Sequence, residues 1–177
     1  MTKLTPRQAV PALEIPTLGG AQWRLADQQP AHFTMAVFYR GFHCPLCSNY
    51  LRDLDRKLAK FEELGVGAIA LSSDTEERAR MAQEQWGLEN LTVGYGLSLD
   101  DARAWGLFIS SGRGKTSTGV EEPALFSEPG LFLIRPDGTL YASSVNTMPF
   151  ARPNFGELLQ SLTFIIEKDY PARGEAA

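Results

Sequence analysis

Phe33-Thr-Met-Ala-Val-Phe-Tyr-Arg-Gly-Phe-His-Cys-Pro-Leu-Cys47 is the stretch that decides how the chain folds. Its first part, Phe33–Tyr39, is one apolar, aromatic-rich run of the kind a central strand shows when both faces are buried. The run ends at Arg40-Gly41, and a helix is predicted to begin just beyond. Pro45 sits in that helix's first turn, where a missing N–H costs nothing and the fixed φ is already helical. Leu51, Leu54, Leu58 and Phe61 then recur as one apolar stripe, Lys and Arg occupy the other face, and Gly65 stops the helix.

Outward from this strand–turn–helix unit the pattern alternates. Upstream, Val10–Pro16 reads as extended, followed by a turn at Gly19-Gly20. Downstream, Val66–Ser72 reads as a second buried strand. A helix capped by Ser73 or Asp74 then runs to Trp86 and ends at Gly87, with Glu76 and Glu77 in its first turn, where the helix dipole favours anions. Leu91–Tyr95 reads as a strand and Leu99–Trp105 as a short helix. Residues 108–128, rich in Gly, Ser and Thr, read as a long mobile loop. Leu131–Arg135 and Leu140–Val145 flank Pro136-Asp-Gly-Thr139, a hairpin turn in which Pro presets φ and Gly accepts a positive one. Phe155–Lys168 is the last helix, and the tail beyond Pro171 is expected to fray. Strands that alternate with helices and end in a hairpin predict an α/β fold: a mixed central sheet with helices on both faces.

The composition agrees and narrows the function. A length of 177 residues fits one domain, 1–177, and 44% apolar with 21% charged residues is ordinary for a globular protein. Seventeen basic against 21 acidic residues, net charge −4, leave no basic footprint for nucleic acid. The longest apolar run is far too short for a bilayer. The start, Met1–Arg7, has no apolar core of a secretion signal, so a cytoplasmic protein is expected. Both of the chain's 2 cysteines lie in one C-x-x-C, which excludes a disulfide-stapled framework and points to redox chemistry or metal.

At a helix start, orphan N–H groups and the dipole favour thiolate over thiol, so Cys44 is expected to be the reactive sulfur. Cys47, one turn on, is expected to be buried and able to close a disulfide with it. Such a pair attacks a peroxide or a disulfide through Cys44 and resolves the product through Cys47. Zinc is the alternative, yet no second C-x-x-C exists, and the 2 histidines are His32 and His43. A Cu(I) carrier, holding the metal on both thiolates, is the alternative outside enzymes.

The segment Val37-Phe-Tyr-Arg-Gly-Phe-His-Cys-Pro-Leu-Cys47 resembles the thioredoxin superfamily, and within it the peroxiredoxin-like AhpC/TSA branch with F-Y-R-G-x-x-C-P-x-C. Val10–Gly20 resembles that family's N-terminal extension, and Gly130–Thr139 its strand and P-D-G turn. The resemblance implies a thioredoxin-like fold, antioxidant thiol oxidoreductase activity, no bound cofactor or metal, an external dithiol reductant and a possible homodimer. It implies peroxide as substrate, with reduction of protein disulfides as the alternative.

The departures are specific. The family's P-x-x-x-T-x-x-C would place Pro and Thr where Val37 and Gly41 stand. The arginine expected before the G-x-F-x-I segment is replaced by Pro129, which instead matches the proline, usually cis, that faces the cysteines of thioredoxins. The strand before the motif carries no buried acid, and Glu128 is the candidate to take over proton transfer. Arg40 is a candidate to hold the thiolate, and His43 to favour it as a nearby partial cation. Arg152 could approach from the sheet end but ranks below Arg40, with a surface arginine as the expectation. Two phosphate-loop echoes, around Gly114-Lys115-Thr116 and Gly94-x-Gly96, lack their required glycines.

Overall fold

In the computed structural model, which describes residues 4–176, the central sheet is built from five strands. These are β3 (Phe33–Phe38), β4 (Val66–Leu71), β5 (Thr92–Gly94), β8 (Gly130–Ile134) and β9 (Leu140–Val145), in the order β5-β4-β3-β8-β9. Ahead of them lies a hairpin of β1 (Glu14–Pro16) and β2 (Gln22–Arg24), turning through Gly20. A second hairpin pairs β6 (Ile109–Ser111) with β7 (Leu125–Ser127). The helices are α1 (Pro45–Glu63), α2 (Glu76–Trp86), α3 (Leu99–Ala104) and α4 (Phe155–Glu167). The first three residues of the Met1–Arg7 segment and the last of the tail lie outside the described range.

Strand β3 pairs parallel with β4, from Phe33↔Val66 to Phe38↔Leu71, and antiparallel with β8, from Thr34↔Ile134 to Phe38↔Gly130. All 6 of its residues are buried, as an apolar run without alternation requires. The two-residue period sorts them between two cores. Phe33, Met35, Val37 and Tyr39 pack with Leu51, Leu54, Leu58 and Phe61 of α1, Ala79 of α2 and Leu162 of α4. Ala36 and Phe38 pack with Ala102 of α3, Trp105 and Ile15 of the first hairpin. The mixed sheet with helices on both faces is thus borne out, and the N-terminal extension covers part of the second face. Among the described residues, no helix is long and apolar enough to cross a membrane.

Three local expectations are corrected. Residues 108–128 are not a structureless loop, because Ile109–Ser111 pairs antiparallel with Leu125–Ser127 and the buried Phe126 ring packs against His43 and Arg40. The pairing joins three-residue strands far apart in sequence, so no periodicity announced it. Helix α2 is capped by neither Ser73 nor Asp74: Thr75 Oγ1 accepts from Arg78 N at 3.4 Å, because the Asp74 carboxylate turns back to Phe42 N. The tail is docked at Ala172 rather than frayed from Pro171 onward. Ala172 is buried, and its carbonyl accepts from Arg7 Nε and Nη2 at 3.1 and 2.8 Å.

Candidate active site

Where β3 leaves the sheet, Tyr39 N still donates to Leu71 O, and the chain then turns sharply. Gly41 has φ +138°, and a Cβ there would lie 2.8 Å from both carboxylate oxygens of Asp74. Asp74 Oδ2 accepts from Phe42 N at 2.6 Å, and Oδ1 accepts from Arg78 Nε at 3.0 Å. Asp74 therefore clamps the turn that delivers the cysteines. The sequence reading missed this role, although Ser72-Ser-Asp-Thr75 directly after a buried strand was the visible signal.

Cys44 stands at the N-cap of α1 with Pro45 behind it, and Cys47 N donates to Cys44 O at 3.1 Å. Both cysteines are free thiols and both are buried. The Cys44 thiol is lowered to about 6. Hydrogen bonding from the Cys47 thiol is the main cause, helped by the Cys47 backbone N–H and the charges of Arg40 and Arg152 against the opposing effect of burial. Cys47 is pushed well above the ordinary thiol range, chiefly by burial and then by the neighbouring Cys44 sulfur. One sulfur is thus ionised near neutral pH while the other keeps its proton.

The remaining predicted residues gather unevenly. Arg40 Nε lies 3.1 Å from Glu128 Oε2, its Nη2 lies 3.8 Å from Glu122 Oε1, and its guanidinium sits 4.8 Å from the Phe126 ring centroid. It is an anchored charge rather than a free strand-end one. Glu128 is buried, and its Oε1 accepts from Ser110 Oγ at 2.6 Å. Pro129 is buried beside it at the start of β8, whose Gly130 registers with Phe38 at the same end of the sheet. Pro129 is trans, unlike the usually cis proline it resembles: among the described residues there is no cis peptide bond. Pro129 O accepts from Asn146 N at 3.0 Å in a trans strand start.

His43 is corrected as well. It is fully buried, its ring meets Phe126 at 4.6 Å, and neither nitrogen has a hydrogen-bond partner. Burial, with Arg40 and Arg78 adding to it, lowers it to about 4. It is a neutral packing ring and supplies no positive charge to Cys44.

Arg152 is no surface arginine. Its Nη1 donates to Cys47 Sγ at 3.4 Å, its Nη2 donates to Leu46 O at 2.9 Å, and its guanidinium lies 4.0 Å over the Tyr50 ring. The chain brings it in after the edge strand β9, 105 positions from Cys47, so sequence adjacency gave no hint of the contact. Among the described residues, no group of three or more His, Cys, Asp or Glu side chains is placed to hold a metal ion. The zinc and Cu(I) readings are left with the two thiols alone.

A sequence model of the AhpC/TSA family matches residues 6–143. Curated proteins contain no match to the chain. Among solved structures, peroxidoxin BcpB from Mycobacterium tuberculosis aligns with TM-score 0.71 and 17% identity over 92% of this chain and 99% of that one. AhpC from Enterococcus faecalis aligns with TM-score 0.72 and 18% identity over 94% and 97%. Reduced Prx3 from Vibrio vulnificus, solved in complex with H2O2, aligns with TM-score 0.69 and 15% identity over 90% and 99%. Identities this low carry the fold: the thioredoxin-like architecture of peroxiredoxins.

Proposed function

The chain belongs to the AhpC/TSA family and is a thiol-dependent oxidoreductase, and from that premise we propose that it reduces a hydroperoxide with Cys44 as the attacking thiolate and Cys47 as the resolving thiol. The observation that carries the reading is the asymmetry of the pair: Cys44 lowered to about 6 at a helix start, and Cys47 held protonated beside it.

The Cys44 thiolate attacks the terminal oxygen of ROOH. The O–O bond breaks, ROH leaves after taking a proton, and Cys44 becomes a sulfenic acid. Cys47 loses its proton and attacks the Cys44 sulfur, the S–O bond breaks, and hydroxide leaves as water. Two thiols and ROOH thus become one disulfide, ROH and water, and an external dithiol returns the pair to the reduced state. Arg40, anchored on Glu128, contributes positive charge that favours the Cys44 thiolate. Pro129 closes the same end of the sheet as a packed wall and handles no proton. The Vibrio vulnificus protein solved in complex with H2O2 is a precedent for this reading. No comparable observation favours disulfide reduction or Cu(I) transfer.

The test is the second-order rate at which hydrogen peroxide and an organic hydroperoxide oxidise the fully reduced protein, with Cys44→Ser as control. A rate far above that of free cysteine, lost in the variant, is expected. A rate equal to that of free cysteine for both oxidants sinks the reading.

A further inference from the structure

The family's strand-start arginine is missing here, and its place is taken by Pro129. A different arginine reaches the site, and it reaches the other sulfur. Arg152 Nη1 donates to Cys47 Sγ while Nη2 donates to the carbonyl of Leu46, the residue before it. The segment around Arg152 is held at several points. The Tyr50 ring lies under the guanidinium at 4.0 Å, and Tyr50 Oη donates to Pro153 O at 2.8 Å. Asn154 Oδ1 accepts from Gly156 N and Glu157 N at 2.8 and 3.1 Å, so Arg152 stands two residues before a capped helix. A planar guanidinium that stacks on one group and forks to two others loses little further freedom when it acts.

We propose that Arg152 is the residue that drives resolution: it stabilises negative charge on Cys47 as that sulfur gives up its proton and attacks oxidised Cys44. This rests on the roles given to the two cysteines above. The chemistry alternates naturally. In the reduced protein the Cys44 thiolate takes a hydrogen bond from Cys47 and opposes a second negative charge beside it. Once Cys44 is a neutral sulfenic acid or a mixed disulfide, that opposing charge is gone and the guanidinium faces Cys47 alone. The groups acting on Cys47 are then few. Tyr39 at the end of β3 and Tyr50 on α1 are both held neutral by burial. The Arg40 backbone N–H and Arg152 are the two that favour its thiolate. A charge-assisted hydrogen bond of this kind corresponds to roughly ten- to hundredfold in the population of a buried anion.

The experiment separates the two sulfurs without peroxide. Reduced protein reacts with 5,5′-dithiobis(2-nitrobenzoate). The first thionitrobenzoate released reports attack by Cys44, and the second reports displacement of the mixed disulfide by Cys47. In Arg152→Met the first release is expected within about threefold of wild type, and the second to slow at least about tenfold, with its pH profile moved upward. Arg152→Lys, which keeps the charge and loses the fork, is expected between the two. A second release unchanged in Arg152→Met overturns the assignment. So does a second release slowed no more than the first in both variants. If hydroperoxides oxidise the wild type no faster than free cysteine while the second release still depends on Arg152, the peroxidase reading falls and this assignment stands.

Discussion

Cys44 and Cys47 occupy one helical turn, and their protonation diverges because a single hydrogen bond runs between them. The proton stays on the sulfur that burial would penalise most as an anion, and the other sulfur keeps the charge. Iodoacetamide alkylation of the reduced protein should therefore titrate with a midpoint near 6. In Cys47→Ala the midpoint should rise, since the largest cause of the lowering is removed. A midpoint that stays put would assign the effect to the helix start and the arginines. His43 gives a second pH effect. Its folded value, about 4, lies below the ordinary 6.5, so the unfolded chain takes up a proton first as pH falls. The stability linked to His43 is fully present above 6.5 and is lost as pH drops toward 4, by about 3 kcal/mol at most. Asp74, raised by burial, slopes the opposite way, and it cancels when two proteins that share it are compared. Thermal unfolding of His43→Phe should decline less steeply than wild type between pH 6.5 and 4. Parallel declines would show that His43 protonates freely in the folded state.

Among the elements, the turn from β3 into α1 is decided by a clamp that spans 32 positions of sequence, from Phe42 N to Asp74. The cap of helix α2 falls one residue later, on Thr75, because the Asp74 carboxylate is already committed to that turn. Gly41→Ala brings a methyl within 2.8 Å of the carboxylate oxygens at a φ that L residues avoid. A destabilisation of about 1–3 kcal/mol is expected, read as a lowered denaturant midpoint with slower Cys44 alkylation. Unchanged values would mean that Asp74 can swing away without cost. The α1 stripe, the Pro136–Thr139 turn and α4 were all readable, because each is written in local periodicity or turn chemistry. The β6–β7 hairpin was not, since Gly, Ser and Thr there mask a ladder fixed by the burial of Phe126.

Across the whole molecule, the stablest part should be β3, which is bonded on both sides and buried on both faces. Native-state hydrogen exchange should find its amides among the slowest, near the global unfolding limit, and those of Ile109–Ser111 and Leu125–Ser127 much faster. Equal protection would make the second hairpin part of the same cooperative unit.

The sequence alone determined the alternation of strands and helices and the placing of C-P-L-C at the start of a helix, since both follow from hydrophobic period, proline position and cysteine spacing. The expectation that Cys44 is the more acidic sulfur also comes from the sequence, but the largest cause of that acidity in the structure is the hydrogen bond from Cys47, with the charges of Arg40 and Arg152 adding to it. The tertiary structure decided which charges meet that pair. His43 became a neutral core ring because β7 covers it, Arg40 became an anchored charge because Glu128 and Glu122 converge on it, and Arg152 reached Cys47 across 105 positions of sequence. Electrostatics acts through space and depends on burial, and neither quantity is written in the order of residues.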